Sequence, residues 1–113
     1  LVSNEESNPE WVSHLSKVSG VYLILDEGTG QQYIGSATGS SGLWGRWKSY
    51  AVNPSGGNVR LAARLEQDPS AYRRFRYSVL EVIAGNPQRD DILAKESLYK
   101  TKLGTRVFGL NDN

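Results

Sequence analysis

A single acidic side chain, Glu96, falls within an otherwise apolar stripe of a predicted helix. The residues that share this helical face, at spacings of three and four, are Ile92, Glu96, Tyr99 and Leu103. Because burying an unpaired carboxylate is costly, Glu96 needs a partner. One suitable partner is a core arginine in a structural ion pair. The other is a hard metal ion such as Mg²⁺, which commonly binds one carboxylate together with waters and a substrate phosphate.

Two phenols are predicted to stand together on a β-hairpin. Residues 21–25 form a β-branched and aromatic run, and residues 32–34 form a shorter one after a turn that contains glycine. If Glu27-Gly28 is the centre of the turn, Tyr22 lies directly opposite Tyr33, with Cβ atoms about 5 Å apart. The hairpin then presents two neighbouring hydroxyls. The simpler interpretation is that two tyrosines cover a half-buried hairpin.

A guanidinium is predicted to lie beside a third phenol on the next helix. Residues 43–51 are predicted to form this helix, after a loop of small residues at 36–42 that permits close backbone approach. Arg46 and Tyr50 are four residues apart, so their side chains lie one above the other on the helix surface.

Two tripeptides of the hairpin carry a known signature. Gly20-Val21-Tyr22 and Tyr33-Ile34-Gly35 resemble the motif of the GIY-YIG nuclease family, with Val21 in place of isoleucine. The resemblance spans residues 18–111. It implies a set of catalytic residues in the order found in that family, namely Tyr22, Tyr33, Arg46, Tyr50, Glu96 and Asn111.

The resemblance implies a metal-dependent DNA endonuclease that hydrolyses phosphodiester bonds. Glu96 would hold the cofactor, Mg²⁺ or Mn²⁺, which neutralises charge on the phosphate and the leaving group. Arg46 would place its planar hydrogen-bonding fork on a nonbridging oxygen. A tyrosine would take the proton from water; Tyr22 is the first choice, and the resemblance also allows Tyr33. Because a phenol has an ordinary pKa of about 10, its neighbours and the metal must lower that pKa.

The distribution of charge favours DNA as the partner. The net charge is only +1, but residues 46–76 hold seven basic side chains against two acidic ones, as binding to a phosphate backbone requires. The candidates for backbone contacts are Lys48, Arg60, Arg64, Arg74 and Arg76. Such contacts are salt-sensitive and poorly selective, so selectivity would need a further DNA-recognition domain or a partner chain.

Trp44 and Trp47 are predicted to pack at the core, with base stacking as the alternative.

Composition excludes several other kinds of protein. The absence of cysteine excludes disulfides, thiolate metal sites and cysteine redox chemistry. The longest apolar run, residues 21–25, is far shorter than the about 20 residues of a membrane helix, and no signal peptide is visible. We therefore expect a cytoplasmic protein that acts on DNA and not at a membrane.

Two alternative functions remain. One is a catalytically silent nucleic-acid-binding module with the same fold, and the other is a structural protein in which Glu96 and Arg46 only pair.

The order of the predicted elements indicates an α+β fold. Two strands, two helices, a third strand at residues 74–83 and a last helix at residues 89–103 favour a small antiparallel sheet of about three strands, flanked by helices. The second half of the third strand is apolar on both sides, which predicts a central position in the sheet.

The chain is predicted to form one nuclease domain at residues 18–111, preceded at residues 1–17 by a flexible leader and a short packing helix. Asn58 is predicted to cap the second helix of the domain, and Gly104 is predicted to end the last one. Residues 107–111 are apolar enough to pack back onto the domain.

Overall fold

A computed structural model of the 113-residue chain describes residues 18–38, 42–83 and 87–111. Its elements, in order, are β1 (Ser19–Asp26), β2 (Gln32–Ala37), α1 (Gly42–Val52), α2 (Val59–Gln67), a 3₁₀ turn (Ala71–Arg74), β3 (Phe75–Ile83), α3 (Arg89–Leu103) and α4 (Thr105–Phe108). The leader and packing helix predicted at residues 1–17 lie outside the described residues. Within the described ranges, every helix is too short or too polar to cross a membrane.

The three strands form one antiparallel sheet in the order β2-β1-β3. The predicted α+β fold with a three-stranded antiparallel sheet is therefore confirmed. The central strand is β1, and the predicted central position of β3 is wrong. The apolar residues in the second half of β3 are only partly buried: Val79 packs against the main core, whereas Val82 is 43% exposed. An apolar pattern on both sides of a strand therefore does not show that other strands pair with both of its edges.

The turn between β1 and β2 is longer than predicted and moves the strand register by two residues. Tyr22 lies opposite Gly35, so the predicted direct pairing with Tyr33 is wrong. The carbonyl of Asp26 accepts a hydrogen bond from the N–H of Gly30, which has a φ of 80°. Because side chains alternate between faces with a period of two, a shift of two residues keeps both phenols on one face. They are diagonal neighbours.

The sheet is packed on both faces. One face carries the main core, which includes Tyr22, Ile24, Leu43, Trp47, Tyr50, Leu61 and Phe75. Alternation along the strands directs Val21 and Ile34 to the other face, and both are fully buried. There α3 packs against β1 and β2 and contributes the buried Ile92. The edge strand β2 thus lies between α1 on one face and α3 on the other.

Both predicted helix boundaries are confirmed. The side chain of Asn58 accepts a hydrogen bond of 2.9 Å from the backbone N–H of Leu61 and so caps α2. Gly104 ends α3 in the left-handed conformation, with a φ of 64°. This conformation strains side-chain-bearing residues but not glycine.

The buried face of α3 differs from the predicted stripe at its C-terminal end. Leu103 is 42% exposed, so its predicted place in the stripe is wrong. Instead, the fourth residue after Glu96, Lys100, is buried and pairs with the Glu96 carboxylate. The prediction that residues 107–111 pack back holds for Leu110 and Asn111, which are buried. It is wrong for the first two residues of that range, which α4 exposes to solvent.

Candidate active site

Three phenols form one cluster on the face of the sheet covered by α1. The hydroxyls of Tyr22 on β1 and Tyr50 on α1 are 2.9 Å apart and share a hydrogen bond. Their rings meet edge to face, with centroids 6.2 Å apart. Tyr33 on β2 completes the cluster; it is partly exposed and interacts electrostatically with Tyr50. Tyr22, by contrast, is fully buried.

The glycines of both tripeptides are required by close contacts. The Tyr22 ring lies across Gly35, and a Cβ atom at Gly35 would overlap the phenol. A Cβ atom at Gly20 would likewise overlap the backbone carbonyl of Glu81 on the neighbouring strand. The first glycine therefore lets β1 and β3 pair closely, and the second gives the Tyr22 ring its place over β2.

Arg46 joins the phenols to a cleft. Its Nε donates to the Tyr22 hydroxyl at 3.3 Å, and its Nη2 donates to the Tyr50 hydroxyl at 3.4 Å. A guanidinium has five N–H donors, and these two bonds use two of them. Arg46 also lines a cleft of about 380 Å³, together with Ser36 and Ser49. A positive charge is thus fixed at the boundary between the phenol cluster and solvent.

Burial keeps the phenols protonated at neutral pH. It raises the pKa of Tyr22 to about 12, although the hydrogen bond with Tyr50 and the charge of Arg46 act in the opposite direction. Burial also raises the pKa values of Tyr33 and Tyr50 above their usual range. For Arg46, burial acts to lower the pKa, but Tyr22, Tyr50 and Tyr33 together outweigh burial and raise the pKa. The cluster is therefore one permanent cation surrounded by neutral hydroxyls.

Glu96 reaches the site from the other face of the sheet, around β2. Its Oε1 accepts a hydrogen bond of 2.8 Å from Ser36, and its Oε2 lies 2.9 Å from the Nζ of Lys100. Because Ser36 also lines the cleft beside Arg46, one side chain separates the carboxylate from that cleft. Glu96 is also close enough to Tyr33 for its negative charge to contribute to the raised pKa of that phenol, behind burial and Tyr50.

The donors around Glu96 fit one class of metal site. In the described ranges, no three histidine, cysteine or acidic side chains lie close enough to enclose a metal ion. A single carboxylate suits Mg²⁺ or Mn²⁺ when waters and a substrate phosphate complete the coordination. A carboxylate has about four lone-pair positions, so the bonds from Ser36 and Lys100 leave acceptor capacity. The residues fit an ion that binds together with a phosphate.

Asn111 is placed differently from the other predicted catalytic residues. Its Oδ1 accepts a hydrogen bond of 2.8 Å from the Ile34 N–H, and its Nδ2 donates one of 2.9 Å to the Ile34 carbonyl. The neighbouring Leu110 N–H donates to the carbonyl of Gln32 at 2.8 Å. Asn111 is fully buried and binds the outer edge of β2 as a neighbouring strand would. It holds the strand that carries Tyr33 and Gly35.

The two arginines of α2 make internal contacts. Arg64 donates to the buried carboxylate of Asp26 at 2.6 Å, and this ion pair lowers the pKa of Asp26 although burial acts to raise it. Arg60 donates to the backbone carbonyls of Arg106 and Gly109, at 2.7 and 3.3 Å. One arginine thus fixes the β1–β2 turn and the other fixes the C-terminal segment. Neither is beside the phenols.

The remaining predicted DNA-binding residues are more exposed. Arg74 pairs with Asp68, and Arg76 pairs with Glu27 at 3.1 Å. Lys48 is exposed on α1, two residues from Arg46. Arg64, Arg74 and Arg76 therefore lie around the β1–β2 turn, where the first two both pair with Asp68. Lys48 is on the same helix as Arg46 and Tyr50.

Two residues of the site were missed by the sequence analysis. Ser36 follows Gly35 directly and belongs to β2, which extends to Ala37 instead of ending in a loop at Ser36. Lys100 was detectable, because a lysine four residues after a glutamate is the usual spacing of a helical ion pair. Trp47 packs edge to face against Tyr22 at 6.3 Å and is buried, which agrees with its predicted packing role.

The chain matches no protein-family model and no curated protein sequence. Two solved structures resemble it, both of the catalytic domain of the endonuclease I-TevI. One is a point mutant of this domain from the intron endonuclease, with a TM-score of 0.70 over 86% of this chain and 95% of that chain. The other, described as the catalytic domain of the homing endonuclease, has a TM-score of 0.65 over 82% of this chain and 96% of that chain. Each of the two is 22% identical in sequence to this chain. I-TevI is a GIY-YIG endonuclease, so the predicted resemblance is confirmed at the level of the fold.

Proposed function

We propose that the chain is a GIY-YIG-type DNA endonuclease that hydrolyses phosphodiester bonds with one divalent ion. The observation that carries the proposal is the meeting of Arg46, the three phenols and Glu96 along β2. Phosphodiester hydrolysis needs proton removal from water, positive charge near the phosphoryl oxygens and help for the leaving oxygen. Arg46 lines the cleft, Glu96 is linked to it through Ser36, and Tyr33 interacts electrostatically with both charged groups.

Arg46 is proposed to bind the scissile phosphate. Its bonds to two phenols fix its orientation, and it lines the cleft with N–H donors beyond those two bonds. A guanidinium stays charged at any working pH and presents a planar fork to phosphate oxygens. It therefore meets the developing negative charge without having to reorganise.

Tyr33 is proposed as the group that takes the proton from water, in preference to Tyr22. Tyr22 is fully buried and its hydroxyl is already bonded to Tyr50 and Arg46, so it is better suited to position those groups. Tyr33 is partly exposed. Burial raises the pKa of Tyr33, and Arg46 acts to lower it. A divalent ion held by Glu96 would bring a further positive charge near Tyr33 and favour its phenolate.

Glu96 is proposed to hold the divalent ion, with Ser36 orienting the carboxylate. When bound, Mg²⁺ or Mn²⁺ would stabilise negative charge on the phosphate and on the leaving oxygen. Glu96 keeps spare acceptor capacity for this purpose. Its connection through Ser36 to the cleft that Arg46 lines supports the assignment.

DNA is proposed to lie along the cleft and the exposed basic residues outside it. Lys48 is on the same helix as Arg46, and the ion pairs of Arg74 and Arg76 involve partly exposed side chains. Exposed ion pairs contribute little to stability, so DNA phosphates can replace the acidic partners at small cost. Arg60 and Arg64 are less suited, because their guanidinium groups hold other parts of the chain.

A plasmid-nicking assay with Mg²⁺ or Mn²⁺ tests the proposal. We expect Glu96→Ala and Arg46→Ala each to slow cleavage by about a hundredfold or more, while binding to a duplex oligonucleotide changes little. Glu66→Ala and Arg73→Ala remove the same charges from exposed positions outside the site and serve as matched controls. Cleavage by Glu96→Ala at the wild-type rate would remove that residue from the mechanism. DNA binding without cleavage by the wild type would favour the silent binding module.

A further inference from the structure

Both oxygens of the Glu96 carboxylate have a partner from this chain. Ser36 donates to Oε1 at 2.8 Å, and the ammonium of Lys100 lies 2.9 Å from Oε2. The carboxylate is 17% exposed, and the Lys100 side chain is 6% exposed. The proposed metal ligand therefore already has a positive charge beside it.

Lys100 acts through Glu96. A lysine is almost never buried unless it is paired, and removing one member of a buried pair leaves a costly isolated charge. Because Lys100 is buried, its ammonium is not placed to contact a DNA phosphate. Its influence on the reaction must pass through the orientation and the charge of the carboxylate.

A fixed ammonium opposes a divalent ion on the same carboxylate. The two positive charges repel, and the repulsion is screened less at a largely buried site than at the surface. A DNA phosphate at the cleft adds negative charge that offsets this repulsion. An ion on Glu96 would then bind more weakly without DNA than with it.

We propose that Lys100 is a positioning residue that holds the Glu96 carboxylate and keeps the affinity of the DNA-free protein for a divalent ion low. The inference rests on the proposed metal-binding role of Glu96. Its consequence is a coupling between DNA binding and ion binding, which leaves the protein without its ion until a substrate is present.

Mn²⁺ binding to the DNA-free chain, measured by the loss of the free-Mn²⁺ EPR signal, tests the inference. We expect Lys100→Gln to bind Mn²⁺ about tenfold more tightly than the wild type. Coulomb's law gives this order for a unit charge and a divalent ion a few ångströms apart, even with the screening of water. Lys102→Gln removes the same charge from an exposed position of α3 and should leave the affinity unchanged. Lys100→Arg keeps the charge and should also bind weakly.

The double variant Glu96→Gln, Lys100→Gln identifies the ion site, because it should lose the gain in affinity. Lys100→Met provides a second neutral variant, and a thermal melt of each protein checks that it is folded. An affinity of Lys100→Gln and Lys100→Met equal to that of the wild type, or weaker, would overturn the inference. So would a gain in affinity that survives the loss of Glu96.

Failure of the inference is distinguishable from failure of the proposed function. If the Lys100 variants bind Mn²⁺ no better but Glu96→Ala still abolishes nicking, only the role of Lys100 is lost. If Glu96→Ala nicks plasmid at the wild-type rate, the proposed function fails at its metal ligand, and the inference about Lys100 falls with it.

Discussion

Replacing Asn111 with alanine removes both hydrogen bonds that hold the outer edge of β2. The N–H and the carbonyl of Ile34 then lose their partners at a position where Asn111 is fully buried. Of the hydrogen bonds described between residues 110–111 and β2, the variant keeps the one from the Leu110 N–H to the Gln32 carbonyl. The variant should therefore be less stable, and the strand that carries Tyr33 should be less well positioned.

The expected loss of stability follows from the two buried groups. Leaving a buried donor or acceptor without a partner costs about 1–3 kcal/mol. Because water can reach part of the space left by the truncated side chain, we expect a total of about 3 kcal/mol for the pair. For a domain of this size, that corresponds to a decrease in Tm of about 10 °C.

Urea unfolding followed by circular dichroism measures the difference in unfolding free energy. Asn58→Ala is the matched control, because it also deletes an asparagine side chain that bonds to backbone. Loss of that helix cap should cost about 1 kcal/mol. In the nicking assay, at a temperature where both variants are folded, Asn111→Ala should slow cleavage by less than about tenfold, because it acts on the position of β2 and not on the substrate.

A different pair of results would refute this reasoning. If Asn111→Ala were as stable as the wild type and yet cleaved DNA a hundred times more slowly, Asn111 would act directly on the reaction. The hydrogen bonds to Ile34 would then not be the reason for its presence.

Two further predictions concern residues around the same strands. Gly35→Ala should displace the Tyr22 ring, because the added Cβ atom would overlap it. We expect a loss of about 1–3 kcal/mol in urea unfolding and much slower cleavage in the plasmid assay. Unchanged cleavage would show that the ring need not lie over β2. Burial acts to raise the pKa of Asp26, but Arg64, the Gly28 N–H and Thr29 together outweigh burial and lower it. The contribution of Asp26 to stability is therefore present above its ordinary pKa of about 4 and is lost as the pH falls through the lower folded value. Asp26→Asn should therefore be less stable than the wild type at pH 7 and lose less stability on acidification to pH 3; parallel pH profiles of unfolding free energy would contradict this.

The predictions from sequence succeeded where the signal was local. The cap at Asn58 and the end of α3 at Gly104 each depend on one residue and its immediate neighbours, and both are confirmed. The spacing of Arg46 and Tyr50 likewise fixed their contact on one helix, with the guanidinium carbon 5.1 Å from the ring centroid. In each case, a few consecutive residues contain all the necessary information.

The predictions failed where the outcome depended on contacts between distant parts of the chain. The strand register depended on a turn that is two residues longer, because the backbone of Asp26 and the left-handed Gly30 close it differently from the predicted turn. The ion pair of Arg64 with Asp26, 38 positions away, was likewise not predicted, because no local pattern indicates such a pair. Lys100 shows the opposite case, in which an ordinary helical spacing was present and was overlooked.

The cover that residues 110–111 give to β2 also affects how molecules meet each other. An uncovered edge strand presents a row of unpaired backbone groups to which a second chain can add a strand. In this fold the backbone of Gln32 and Ile34 is occupied by Leu110 and Asn111, so that edge offers no template for intermolecular pairing there. Proteolysis within α4 would separate residues 110–111 from the rest of the chain and uncover this edge. The cleaved protein should then associate through β2. The residues that steady the strand of the proposed active site thus also occupy the backbone groups to which a second chain could pair.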